Sequence, residues 1–273
     1  MNLLQTRDMR WATSIALAAI AAIGLLYTNP IYRLAGPQTV LWIYDLAVIL
    51  FSLAGVGLSF LLWRSFSQGE VLKTIWASLT LGLLLWTLGE SMWSVDQLVF
   101  GEKLPYPSAA DAAWLAGYVP LLVGLVLRYR SLQVQPKTGW RVAVLGAFLV
   151  LAALAVVFLI LPIINSTDSG PLEQVVNVLY PIGDLAVALA ALLIMLALTG
   201  GVLSMPWGLI AAGYFLVSVS DLLYAFAVWQ EIYQVDPAFG VNFLTYVINF
   251  LYAVSYVIVA LGVYMQARLQ RAI

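Results

Sequence analysis

"YDLAVILFSLAG" (Tyr44–Gly55) and "GDLAVALAALLI" (Gly183–Ile194) are two apolar stretches that each place one aspartate ahead of the same Leu-Ala-Val. What surrounds those acids decides the fold. The chain has 273 residues, of which 63% are apolar and 9% charged. A soluble domain of that length could not hide so much apolar surface. Lipid is therefore the solvent for most of the chain. Lipid offers no partner to a backbone N–H or C=O, so the spanning segments are helices.

Eight apolar runs of roughly 17–25 residues are long enough to cross a bilayer. They cover about 12–28, 40–62, 74–98, 109–127, 142–163, 175–198, 207–229 and 240–265. Arg7 and Arg10 ahead of the first run would also suit a signal peptide, but no small-residue cleavage site stands out and the run has a counterpart later in the chain. With eight spans, ten of the twelve basic residues fall on one side, and only Arg33 and Lys103 on the other. Seven spans would break that asymmetry. The positive-inside rule then predicts that both termini are cytoplasmic. The opposite loops carry Glu102, Asp168, Glu173, Glu231 and Asp236 and are mildly acidic.

The two aspartates belong to a longer match. Trp11 and Trp140 are 129 residues apart and Asp45 and Asp184 are 139 apart. "GLLLWTLGESMW" aligns with "GYFLVSVSDLLY", which pairs Glu90 with Asp221 and Trp93 with Tyr224 at an offset of 131. "DAAWLAGY" aligns with "NFLYAVSY", which pairs Asp111 with Asn249, Trp114 with Tyr252 and Tyr118 with Tyr256 at 138. The offset changes only between spans, where loops tolerate insertions. The expected architecture is an all-α membrane protein of eight transmembrane helices, built as two parallel four-helix repeats, 1–135 and 136–273. An even number of spans per repeat keeps both halves in one orientation, related by a pseudo-twofold along the membrane normal.

Six acids lie within the spans: Asp45, Glu90, Asp96, Asp111, Asp184 and Asp221. All six fall in the outer half, and the inner half has almost no ionisable side chain. Asp111, Trp114 and Tyr118 form one helical stripe. Asn249, Tyr252 and Tyr256 repeat it, and Glu90, Trp93 and Gln97 form another, as do Asn177, Tyr180 and Asp184. Intramembrane acids are costly, so function is the default hypothesis for them. The expected site is an outward-facing pocket in which Glu90, Asp184 and Asp221 converge, walled by Trp93, Trp114, Tyr180 and Tyr224. Asp45, Asp111, Tyr118, Asn249 and Tyr252 complete the candidate ligand-binding set. Aromatic faces beside carboxylates favour a cationic or amphipathic small ligand.

Each acid also has a structural reading. Ser108 and Asp111 in "PYPSAAD" have the spacing of a helix N-cap and its capping box. Pro181 and Gly183 are expected to interrupt the sixth span, leaving Asp184 to bond the freed backbone. Glu90 and Asp221 have the chemistry to tie neighbouring helices. Asp96, near the interface, is expected to be hydrated.

The absence of histidine and cysteine excludes disulfides, Cys/His zinc sites, His-ligated haem and any His triad. No cofactor is called for, and the net charge of −1 speaks against a nucleic-acid partner.

"PYPSAADAAWLAGY" with "VPLLVGL", "YPIGDLAVALAALL" and "SVSDLLYAF" resembles the multi-pass sensory regions of bacterial membrane signalling proteins. Those regions often precede diguanylate cyclase, phosphodiesterase or histidine-kinase domains. The resemblance covers about residues 80–265 and implies a signal-receiving membrane domain. No output domain follows "YMQARLQRAI", so it implies either action through a separate cytoplasmic or membrane signalling partner, with a homo-oligomer as a further option, or a stand-alone relative with another task. "PIGDLAV" and "SVSDLLYAF" also resemble the Gly-Asp and Ser-Asp motifs of lysoplasmalogenase-like membrane hydrolases, in which two carboxylates act as acid and base. The motif aspartates here lie only 37 residues apart on consecutive spans, a poor fit to that family. A third reading is a transporter or a non-catalytic subunit of a membrane complex; the apolar inner half argues against transport.

Overall fold

The computed structural model describes residues 6–97, 106–132, 138–167, 169–198, 201–236 and 240–273. Among them eight helical segments are long and apolar enough to span a membrane. They are α1 (Arg7–Leu26), α3 (Pro37–Ser65), α4 (Val71–Val95), α5 (Ala109–Ser131), α6 with α7 (Thr138–Asn165), α8 (Pro171–Ala197), α9 (Ser204–Trp229) and α10 (Phe243–Leu269). The chain is thus a polytopic, all-helical membrane protein. Between α6 (Thr138–Ala155) and α7 (Leu161–Asn165) a π-helical stretch, Val156–Ile160, carries the chain past Pro162, which has no N–H to bond back. A short helix α2 (Asn29–Ala35) joins α1 to α3, and a two-residue antiparallel ribbon, β1 (Val235–Asp236) and β2 (Gly240–Val241), precedes α10.

Local sequence sets these limits. α5 starts on a capping box in which the Ser108 side chain and the Asp111 carboxylate satisfy each other's backbone N–H groups. α10 starts where the Asn242 side chain accepts from the Thr245 N–H at 2.8 Å. Gly240, at φ +85°, turns the ribbon where a Cβ would collide with the Asn29 side chain. Asn29 Oδ1 accepts from the Val241 N–H and fastens the ribbon to α2. α8 runs unbroken through Pro181 and Gly183, contrary to the interruption expected there. Gly183 serves packing instead: a Cβ would stand 2.9 Å from the Tyr118 ring, so its absence lets that ring lie against α8.

Six helices close a ring, with α3 beside α4, α4 beside α5, α5 beside α8, α8 beside α9, α9 beside α10 and α10 beside α3. α1 packs outside on α10, and α6 outside on α8. The apolar window of α10 is 61% buried and that of α6–α7 only 11%, which marks α10 as central and α6–α7 as lipid-facing. Across the ring α4 faces α9 through stacked layers. Trp76 meets Trp207 at 5.1 Å between ring centroids, and Trp86 meets Tyr214 at 6.3 Å. Farther along, Glu90 and Asp221 lie close enough to repel.

Glycines set the tightest seams. A Cβ on Gly82 of α4 would stand 2.9 Å from the Leu121 backbone N of α5, and one on Gly124 would stand 3.2 Å from the Ile75 carbonyl. On the other side a Cβ on Gly213 of α9 would stand 3.1 Å from the Val259 backbone N of α10, and one on Gly262 would stand 2.8 Å from the Pro206 carbonyl. Small residues let backbones approach closely, which is the main source of helix association in lipid. Residues 75 and 82 are related to 206 and 213 by 131, and residues 121 and 124 to 259 and 262 by 138.

Candidate functional site

The polar residues gather at the end of the ring opposite the basic loops. Glu90, on the inward face of α4, is the hub. One of its carboxylate oxygens accepts from Trp114 Nε1 of α5 at 3.0 Å, from the Tyr256 hydroxyl of α10 at 3.2 Å, and from the Tyr252 hydroxyl. Charge-assisted bonds of this kind are the strong ones, and three of them tie α4 to α5 beside it and to α10, which is not its neighbour in the ring. Trp86, one turn below Glu90, donates to the Trp114 carbonyl at 3.0 Å. Gly89 makes room, since a Cβ there would stand 2.6 Å from the Trp114 ring. Trp93 packs on Trp114 at 6.1 Å between centroids.

The α5–α8 seam uses the stripe Asn177, Tyr180, Asp184. Tyr106 donates to Asn177, Tyr180 donates to Asp111 at 2.8 Å, and Tyr118 donates to Asp184 at 2.6 Å. Asp111 therefore does two things at once, capping α5 and binding α8. On the α3–α10 seam Tyr44 donates to the Asn249 backbone carbonyl at 3.1 Å. Tyr233, from the connection before α10, donates to Asn249 Oδ1 at 3.1 Å and stacks edge-on with Tyr224. Tyr106 and Tyr233 lie outside the spans; burial pushes both phenols above their ordinary range, so each keeps the proton it donates.

The structure divides the expected pocket. Glu90, Asp111 and Asp184 each have a strong bond to a neighbouring helix, so lone-pair satisfaction accounts for part of their presence. Asp221 differs. It lies within repulsive range of Asp184 and Glu90 and near the hydroxyls of Tyr118, Tyr180, Tyr252 and Tyr256. Yet no described residue hydrogen-bonds to it, and its side chain keeps accessible surface. Tyr224, one turn farther along α9, is 42% exposed. Asp221 thus does not seal a seam: it is half-buried and without a hydrogen bond from any described residue. Asp45 sits on α3 beside Ser94 of α4 and near Glu90; its Oδ2 has no partner among the described residues. Asn249 Nδ2 is likewise buried and unpartnered.

Asp96 is half-buried, with its Oδ2 shielded and unpartnered among the described residues, where α4 ends in a π-type turn. Arg128, counted from the sequence with the loop charges, is buried in the last turn of α5. The acidic loop residues Glu102 and Asp168, and Lys103 and Lys137, lie outside the described residues. Sequence reasoning missed Tyr44, Ser94 and Tyr233. Tyr44 adjoins Asp45 in the opening motif, but its partner is a main-chain carbonyl that no sequence pattern announces.

Among the described residues no group of three or more acidic side chains is close enough to cradle a metal ion. A concavity lined by Arg7, Arg10, Trp11 and Ser14 lies at the basic end, far from this network and without an acid. The acid network is identified by its chemistry, and nothing connects that concavity with it. No family model, curated protein or solved structure matches the chain.

Proposed function

We propose that this chain is a signal-receiving membrane protein whose outward-facing pocket takes a cationic or amphipathic ligand at Asp221. The observation that carries the reading is Asp221 itself. It is an acid inside the ring, with accessible surface, without a hydrogen bond from any described residue, and facing two further carboxylates. Carboxylates gathered away from bulk water need a proton or a positive charge to compensate them. The sequence puts only Arg33 and Lys103 on that side, and Arg33 is exposed on α2. A ligand ammonium group would supply the charge, and the surrounding phenol rings would add cation–π attraction.

The same geometry suggests how occupancy reaches the far side. α9 runs 14 residues from Trp207 to Asp221, about 21 Å at 1.5 Å per residue. Neutralising the repulsion between Asp221 and Glu90 would let α9 move toward α4, and the Trp76–Trp207 contact would register the shift at the basic end. A separate partner would read it there. In this reading the halves are parallel repeats. Its support is that Trp76 and Trp207, and Glu90 and Asp221, are pairs at the 131 offset that face each other, as residues beside a twofold must. The glycine seams follow the same offsets.

The test is a thermal-shift screen of organic ammonium ions against the purified protein. Wild type should be stabilised by at least one class, and Asp221→Asn should melt as wild type does without ligand but lose the shift. An equal shift in Asp221→Asn would remove Asp221 from the site. The absence of a shift across primary, quaternary and amphipathic amines would end the cationic reading.

A further inference from the structure

The basic end of the ring holds a second feature that the acid network does not use. Arg128, in the last turn of α5, is 6% exposed. Its guanidinium carbon lies 4.3 Å over the Trp207 ring. Stacking holds the plane of a guanidinium but uses none of its in-plane N–H groups. One of those reaches Ser131 Oγ at a long 3.4 Å. Nε is buried and has no partner among the described residues. The Trp76 indole N–H, on the ring that packs against Trp207, is also buried and unpartnered.

Among the described residues no side-chain carboxylate forms an ion pair with this charge. The sequence puts only two acids on the basic side, Asp8 and Glu70. Asp8 pairs with Arg268 at 2.8 Å. Glu70 accepts from the Ser67 N–H at 2.8 Å. Segments 1–5, 133–137 and 199–200, which complete that side, contain no Asp or Glu. A buried guanidinium without a counter-charge is among the most costly arrangements in a membrane protein. Its planar fork matches two oxygens of a phosphate.

We infer that Arg128, stacked on Trp207, binds the phosphate of an anionic ligand at the basic end of the ring. The phosphate reaches it either as an anionic lipid headgroup or free from solution. The site is single. The position 138 residues on, which the repeat would make equivalent, holds Gln266, itself buried and with an unpartnered Oε1. One half thus carries a charge and the other a neutral amide. The placement at the foot of α9 makes Arg128 a neighbour of the contact that would register ligand binding at the other end.

The experiment is a set of melting curves in lipid-free maltoside micelles, with added phosphatidylglycerol, phosphatidylcholine or inorganic phosphate. Wild type should rise by about 5 °C at a hundredfold excess of ligand over its dissociation constant. A rise with phosphatidylglycerol but not with phosphate assigns the lipid source, and a rise with phosphate alone assigns the soluble one. Arg130→Gln, two residues away and exposed, controls for general attraction to the basic face and should keep the full shift. Arg128→Gln should lose it, and Arg128→Lys, which keeps the charge but not the fork, should lose more than half. Each shift is read within one variant, so a lower starting stability does not blur it. If Arg128→Gln cannot be isolated, Arg128→Lys against Arg130→Gln carries the comparison. An unchanged shift in the Arg128 variants overturns the site, as does no shift in wild type with either anion.

Discussion

Glu90 holds α4 to α5 and α10 through a single carboxylate oxygen, and this sets the size of the loss when it is removed. Three donors converge there, from Trp114, Tyr252 and Tyr256. Interhelical bonds in membrane proteins average about 0.6 kcal/mol in double-mutant cycles, whereas a donor left buried without a partner costs about 1–3 kcal/mol. Tyr256 is 3% exposed and has only the neighbouring Tyr252 hydroxyl to turn to, at 3.4 Å. Tyr252 and Trp114 keep some accessible surface and recover part of their loss. Glu90→Ala should therefore cost about 2–4 kcal/mol. Glu90→Gln keeps an oxygen in the same place and should cost about 1 kcal/mol or less. Reversible unfolding in mixed micelles, followed by tryptophan fluorescence, reads both. The cycle pairing Glu90→Gln with Tyr256→Phe should show coupling, because the two groups share one bond. Glu90 is not the hub of these bonds if Glu90→Gln is as costly as Glu90→Ala, or if Glu90→Ala leaves stability within about 0.5 kcal/mol of wild type.

Gly82→Ala and Gly213→Ala should both destabilise, each by about 1–3 kcal/mol, because in both a new methyl group meets backbone atoms of the next helix. Equilibrium unfolding of the two variants side by side checks this; a neutral effect at one site would break the proposed equivalence of the seams. Tyr118→Phe should cost about 1 kcal/mol by removing the 2.6 Å bond to Asp184, and Asp184→Asn combined with it should add little. Strict additivity in that cycle would mean the two side chains do not act on each other. For topology, single cysteines at Ser169 and Gln270 suit a chain with none of its own. An impermeant thiol reagent on intact cells should label the first and spare the second, and the reverse pattern would invert the membrane orientation.

Much of the fold was legible because lipid removes choices. Once the chain is too apolar for water, each long apolar run must be a helix, and eight runs gave eight spans with ends displaced by only a few residues. The sites of close approach were less legible. Gly183 beside Pro181 resembles a break in a helix, and only the position of Tyr118 against α8 shows that the glycine clears space for a ring. The acids were found because an isolated carboxylate stands out in apolar sequence. Their partners were harder to assign. Tyr180 lies on the expected stripe, but its bond to Asp111 depends on α8 lying against α5, which the stripe does not announce. Arg128 was hidden by its neighbours: among Arg130, Lys137 and Arg141 it reads as one more loop charge, and its burial depends on Trp207, far away in sequence. Periodicity reports which face of a helix is polar. It does not report which helix lies opposite.

In the proposed function Asp221 borders a space open to the outer side and attractive to cations. The most direct measurement places a single cysteine there, Asp221→Cys, and compares its rate of modification by cationic and anionic methanethiosulfonates of similar size, applied to intact cells. Glu90 and Asp184 remain in place, so the cationic reagent should react at least about tenfold faster, corresponding to about 1.4 kcal/mol of electrostatic preference. Val217→Cys, one turn below on α9 and 3% exposed, should stay unmodified. Equal rates for the two reagents, or reaction only after the membrane is opened, would contradict an outward-facing cation site.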